Sequence, residues 1–541
     1  MEKISGNIVD VVNSEIYPGT LVISEGRITG IIMEETGYGT CIMPGFVDSH
    51  IHIESSMFPP AEFSRIAAVH GTVATVSDPH EIANILGIEG VKYMIEDAKS
   101  AQVKICFGAP SCVPATPFET AGAVLGVGEV EKLLKLDEIG YLSEVMNFPG
   151  VLKGDKDIMN KIKIAVECSK PVDGHAPGLR GGELEKLLNS GISTNHECLS
   201  RGEALEDIKK GIKVQIRKGS AADIFEECLS LLDEHYESCM FCSDDKHPDD
   251  LLKGHINDMV AGAINYGVDI MKVLRVASVN PVSHYCLNVG LLRKGDPADF
   301  IRVDNFTDFN ILETYINGRA VAREGVSLIP RVSSKIVNNF HVTSKEPTAF
   351  TVPSRGDRIN VIGVSDGTLF TDKLVEIPKM ENGCAVSDTD RDIIKLAVVN
   401  RYGDTKPAVG FVRNFGIKRG AIASSVAHDS HNIVAVGVSD EDVCRAVNLV
   451  ICNRGGIGAV SGSREMILPL PIAGIMSDKD YAVVADRYTK LNDMAKAMGS
   501  KLRAPFMALS FMALLVIPEI KMSDKGLFDA ERFRMMDVFC G

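Results

Sequence analysis

The stretch Pro44-Gly-Phe-Val-Asp48-Ser-His50-Ile-His52-Ile-Glu-Ser55-Ser56-Met57 decides the fold. It is a short apolar run opened by Pro-Gly and closed by two histidines one residue apart. A run of that length with such punctuation reads as a buried strand. Side chains two apart on a strand share a face, so His50 and His52 can bind one ion together. Seven comparable runs follow. They are Thr72-Val-Ala-Thr-Val-Ser, Val103-Lys-Ile-Cys-Phe-Gly, Tyr141-Leu-Ser-Glu-Val-Met, Pro171-Val-Asp-Gly-His, Ile192-Ser-Thr-Asn-His, Lys213-Val-Gln-Ile-Arg and Met240-Phe-Cys-Ser-Asp. Helical patterns lie between them, for example at Gly90-Val-Lys-Tyr-Met-Ile-Glu-Asp-Ala and Gly182-Glu-Leu-Glu-Lys-Leu-Leu-Asn. Alternating strands and helices of this number predict an α/β fold, a (β/α)8 TIM barrel over residues 44–285.

Outward from that middle, residues 1–43 and 286–335 both read as short strands with turns such as Pro18-Gly19 and Glu25-Gly26. Two strand-rich flanks predict one small composite β-sandwich. Residues 336–541 form a third region of mixed β and α pattern, an α/β (α+β) C-terminal domain. With 541 residues, the chain is too long for one core. A formal charge of -15 disfavours nucleic acid as a partner. No apolar run reaches the length of a membrane span, and no signal-peptide pattern opens the chain. The 13 cysteines form no framework, which fits reduced thiols and a cytoplasmic location. A homodimer is the expectation on the frequency of two-fold assemblies.

The chemistry lies at the strand ends. Beyond His50 and His52 stand Glu144 on the fourth run, Asp173 and His175 on the fifth, His196 and Glu197 on the sixth, and Asp244 and Asp245 on the eighth. A barrel brings the C-terminal ends of its strands to one face. A single His-x-His arises by chance, but buried ionisable groups on five apolar strands are costly unless paired or metal-bound. Four His, one Glu and one Asp suffice for two first-row divalent ions, Mn or Fe first, with Zn compatible.

These residues resemble the binuclear amidohydrolase superfamily, and more closely its adenine deaminase family. The likeness is carried by the first-strand signature above and by Asp78-Pro-His80-Glu81-Ile-Ala-Asn, Ser111-Cys-Val-Pro-Ala-Thr-Pro, Glu144-Val-Met-Asn-Phe-Pro-Gly, Asp173-Gly-His-Ala-Pro-Gly and Asp244-Asp-Lys-His-Pro-Asp-Asp. Ile422-Ala-Ser-Ser-Val-Ala-His428-Asp-Ser-His431-Asn extends it into the third region. The resemblance implies that His50, His52 and Asp244 hold one ion, that His175 and His196 hold the other, and that Glu144 bridges. It implies hydrolytic deamination of adenine, with Asp244 as general base. Asp244→Asn is then expected to abolish turnover with metal content close to normal. Glu144, His80 and Glu81 all stand as proton donors to the purine ring.

His80, Glu81 and Ser55 are the expected substrate contacts. The plainer alternatives are a helix N-terminal turn for Pro79-His80-Glu81 and a helix cap for Ser55. His428-Asp-Ser-His431 reads best as a hydrogen-bonded turn, Cys239-Met-Phe-Cys242 as buried thiols, and Gly455-Gly-Ile-Gly458 lacks dinucleotide spacing. Competing functions are another cyclic amide or amine hydrolase of the same barrel, such as a dihydropyrimidinase or guanine-type deaminase, and a non-catalytic purine-binding regulator. The Glu on the fourth strand argues against dihydropyrimidinase, which belongs to the Lys type.

Overall fold

A computed structural model describes residues 2–220 and 222–540. The chain divides into two compact units. The first comprises residues 1–79, 92–112 and 126–334, and the second residues 80–91, 113–125 and 335–541.

All eight expected strands form in the first unit. They are β1 (Phe46–Ile51), β2 (Thr72–Ser77), β3 (Lys104–Ala109), β4 (Ile139–Val145), β5 (Val172–Gly174), β6 (Thr194–Asn195), β7 (Lys213–Arg217) and β8 (Cys239–Cys242). β1 to β5 pair in sequence order as one parallel sheet, and β6 to β8 as another. The Ser193 amide donates to the Val172 carbonyl at 2.9 Å, joining the two sheets. A parallel bridge between Ile51 and Asp244 ties the end of β8 back to β1. The parallel sheet therefore curls, as a TIM barrel requires. β2 is buried at every position, and its Thr and Val residues suit a strand covered on both faces.

The helix Lys156–Glu167 shows how the outer layer attaches. Asp155 caps it by accepting from the amides of Asp157 and Ile158, and Ile158, Lys161, Ile162 and Ala165 face inward at helical spacing.

The two flanks do combine. Glu2–Asp10, Glu15–Ser24, Arg27–Met33 and Cys41–Pro44 join four strands from 300–327 in one eight-stranded sheet. Cys41–Pro44 pairs parallel with Glu2–Asp10 and antiparallel with Phe300–Val303, so the ladder is continuous. Hydrogen bonding therefore makes the flanks one continuous eight-stranded ladder. Its buried face carries Ile8, Leu21, Ile28, Ile42 and Phe300.

In the second unit a largely antiparallel eight-stranded sheet carries the helix Asp440–Cys452. Ser439 caps that helix, three acids occupy its first turn, and Val443, Val447 and Val450 pack with Ala397, Ala421 and Ala435 of the sheet. No helix among the described residues is long and apolar enough to cross a membrane.

Candidate metal centre

Each expected ligand sits at the end of its strand because apolar packing consumes the rest of that strand. His50 is fully buried on β1, and His52 follows its last residue. The two Nε2 atoms lie 3.3 Å apart. Asp244 Oδ1 is 3.1 Å from His52 Nε2 and 3.5 Å from His50 Nε2. Glu144 reaches across, with Oε1 3.3 Å from His52 Nε2 and Oε2 3.3 Å from His196 Nε2 and 2.6 Å from His175 Nδ1. The rings of His50 and His196 stack with centroids 4.0 Å apart. All six residues expected as ligands thus lie together.

The spacing fits first-row ions. Ligand bonds of about 2.1 Å place neighbouring donor atoms roughly 3.0–3.4 Å apart on a coordination shell. Among the groups whose donor atoms lie within 4.8 Å of one another are His50 with His196 and Asp244, and Glu144 with His175 and His196. Nδ1 of His50 and of His196 are buried without a hydrogen-bond partner, so the polar contacts of both rings run through Nε2, on the side of the ligand cluster. Imidazole and carboxylate donors are the set that Mn, Fe or Zn accept.

Burial opposes ionisation of Asp244, yet the Arg217 guanidinium and hydrogen bonds with His50 and His52 hold its carboxyl well below the usual range. Burial likewise opposes charge on Glu144, and it is overcome by His175 and by hydrogen bonds with His175, His196 and His52. His52 is pushed well above the ordinary imidazole value, because hydrogen bonds to Asp244 and Glu144 outweigh its burial. His175 shifts the same way, with Glu197 and Glu144 outweighing burial. Both shifts favour the protonated ring when no ion is bound. Ion binding therefore competes with protons at these rings.

Surrounding residues hold the ligands in place. The Asp244 amide donates to the His50 carbonyl at 2.9 Å, and the His52 amide donates to the Asp244 carbonyl at 3.3 Å. Asp244 itself takes a positive φ of 53°, an uncommon backbone state for a residue with a Cβ. Asp48 accepts from the Ser243 amide at 3.1 Å, and its Oδ2 lies 2.8 Å from His255 Nε2. Tyr285 donates to Asp173 at 2.8 Å, and burial pushes the Asp173 carboxyl up to about 7. Gly174 allows β5 and β6 to approach, since a Cβ there would lie 2.4 Å from the Thr194 carbonyl oxygen. Arg217 contacts Asp244 and Glu197, and the sequence reading missed it. Its signal was a charged residue ending a strand that faces the same mouth.

Ser55 lies in the short helix Ile53–Ser56 and donates to Asp245. His80 and Glu81 open the helix His80–Leu86 and belong to the second unit. There, Glu81 is gripped by His428 Nδ1 and His431 Nε2. The Ala427 amide donates to His431 Nδ1 at 3.3 Å, so the ring proton sits on Nε2 and is given to Glu81. The His428 ring stacks on Phe511 at 4.7 Å. The segment 428–431 is thus a turn between two strands, as expected, and it also clamps Glu81. Cys239 and Cys242 are buried free thiols.

Residues 41–321 match the amidohydrolase family, and residues 368–534 match the adenine deaminase C-terminal domain. An adenine deaminase of Salinibacter ruber is 52% identical over 539 residues, covering 99% of both chains. The chain belongs to the adenine deaminase family. Other members of the family are as near: the adenine deaminase of a Sulfurovum species is 53% identical over 536 residues, 99% of each chain, and that of Methanosarcina acetivorans 48% over 550, the full length of both.

Proposed function

We propose that this chain hydrolyses adenine to hypoxanthine and ammonia in purine salvage, using two divalent ions, Mn or Fe first, with Zn compatible. The observation that carries the reading is the convergence of four imidazoles and two carboxylates at coordination distances, in a chain that shares its full length with adenine deaminases. His50, His52 and Asp244 would hold one ion, His175 and His196 the other, with Glu144 between them. Bound there, the ions would acidify water so that a nucleophile exists at neutral pH.

The protein's own groups then manage protons. Asp244 accepts a proton from the attacking water and passes it to the departing amine at C6. A ring nitrogen must also take up a proton as C6 rehybridises, and Glu144, His80 and Glu81 are the candidate donors. The water oxygen bonds to C6 as the C6–N double bond of the ring opens and its nitrogen takes a proton; the amine leaves as ammonia with the proton carried by Asp244, and the C6 hydroxyl returns a proton to the ring-nitrogen donor as the keto form of hypoxanthine results. Ser55, His80 and Glu81 are proposed substrate contacts. For Ser55, the support is its bond to Asp245, next to the base. For His80 and Glu81, it is their position directly after Asp78 and Pro79 at the end of β2. A (β/α)8 barrel over 44–285, a flanking β-domain from 1–43 and 286–335, a C-terminal domain over 336–541, a homodimer and a cytoplasmic location complete the proposal.

Ammonia release from adenine, beside guanine, cytosine and hydantoin, tests it on Mn-loaded and metal-stripped protein. Turnover confined to adenine and dependent on Mn is expected. Turnover of another base instead, or none of any, would overturn the reading.

A further inference from the structure

We propose that Arg217 is a positioning residue that locks Asp244 as a one-oxygen ligand, leaving a single carboxylate oxygen for the ions. The proposal rests on the reading of Asp244 as ligand and base. Arg217 ends β7 and is 3% exposed. Its Nη1 donates to Asp244 Oδ2 at 2.6 Å and to Glu197 Oε1, and its Nη2 donates to Glu197 Oε2 at 3.2 Å. The other Asp244 oxygen, Oδ1, faces His50 and His52. The two oxygens are therefore divided between the guanidinium and the ligand cluster.

The backbone of Asp244 is already fixed. Its amide and carbonyl are stitched to His50 and His52, and its φ is positive. What remains free is rotation of the carboxylate about its own side-chain bonds. The fork is closed on Glu197, which fixes the guanidinium plane, so the one Nη1 donor that reaches Asp244 Oδ2 has a set direction and restrains that rotation; a lysine ammonium would supply charge without a fixed donor direction. Glu197 holds the fork from the far side. Its Oε1 also lies 3.7 Å from His196 Nε2 and 4.0 Å from His175 Nδ1. With both its oxygens on Arg217, Glu197 serves to anchor the cation and is not counted among the ligands.

Freed of Arg217, Asp244 can turn to offer both oxygens to an ion. That would tighten metal binding and misplace the oxygen that must accept the proton. Misplacement by about 1 Å costs on the order of 100-fold in rate.

The test uses full-length protein as wild type, Arg217→Lys and Arg217→Met. Three quantities are read: manganese per chain and its dissociation constant by chelator competition, kcat and KM for adenine, and the visible absorption of the cobalt(II)-loaded protein. Both variants are expected to keep two ions per chain with a dissociation constant no weaker than wild type, to lose about 100-fold in kcat, and to hold KM within about threefold. Cobalt absorption is expected to fall as Asp244 adds a second oxygen and the coordination number rises. Arg217→Lys preserves the buried charge, so it stays informative if Arg217→Met does not fold. A kcat within threefold of wild type in Arg217→Lys, or a rate loss matched by loss of metal, would overturn the proposal. If wild type itself fails to turn over adenine, the functional reading fails instead, and the cobalt and manganese readouts still decide whether Arg217 sets the ligand mode.

Discussion

Replacing Asp244 by Asn is the sharpest single perturbation of the site. The substitution keeps shape and removes one negative charge. In the native arrangement, Oδ2 accepts from Arg217 at 2.6 Å while Oδ1 faces His50 and His52. At an effective dielectric of about 20, a charge pair at that distance is worth on the order of 6 kcal/mol before desolvation is subtracted. Glu197 still faces Arg217 in the variant, so the cation is not stranded, and a net stability loss of about 2 kcal/mol is expected. The asparagine has only one acceptor oxygen. It can satisfy Arg217 or the ions, not both, and its NH2 will face the side it does not satisfy. The expectation from sequence alone, metal content near normal, therefore changes: manganese is expected to bind more weakly at the first position. At saturating manganese, kcat for adenine should fall at least about 1000-fold, some 4 kcal/mol of transition-state stabilisation, because base and ligand geometry are lost together. The assay is ammonia release at graded manganese, with metal per chain measured on the same samples. A kcat within tenfold of wild type at full occupancy refutes Asp244 as the base.

Four further outcomes are expected. Gly174→Ala places a Cβ against the Thr194 carbonyl oxygen at 2.4 Å, so β5 must shift; metal analysis should show loss of the second ion although no ligand has changed. Glu81→Gln weakens two charge-assisted bonds to His428 and His431 and should cost about 2–3 kcal/mol in chemical denaturation; no change would mean the clamp is idle. Burial lowers the His70 imidazole to about 4 against an unfolded value near 6.5, so the unfolded chain takes up the proton first. Stability from this group is whole above about pH 6.5 and is lost as pH falls toward 4; His70→Gln should flatten that part of the stability profile. Burial likewise lowers the Lys521 ammonium to about 7, and the unfolded chain protonates it near 10.4. Its cost is therefore absent above about pH 10 and complete below about 7, so Lys521→Met should raise the melting temperature more at pH 7 than at pH 10.

The strands were legible because burial on both faces leaves nearly continuous apolar runs, as in Thr72–Ser77, and because each ligand interrupts such a run at its end. The helices Ile88–Ala98 and Gly181–Asn189 were legible from their apolar spacing. That the flanks share one β-domain was legible too, but their strand order was not, since a strand's sequence does not say which neighbour it pairs with; Cys41–Pro44 joins both halves by pairing on each edge. Arg217 was hidden for a related reason. Its partners, Glu197 and Asp244, lie 20 and 27 residues away, and only a curled sheet makes them neighbours. The Glu81 clamp spans 347 residues and depends on how a turn folds.

That clamp bears on how the molecule is made. Glu81 emerges from the ribosome hundreds of residues before His428, so its carboxylate stays ungripped while the intervening chain is synthesised. The second unit can close only when its C-terminal sheet arrives, a contact of very high sequence separation and therefore slow to form. A fragment starting at residue 335 would carry both imidazoles without the acid they hold, so cutting this protein at that apparent boundary would leave two buried rings without their carboxylate.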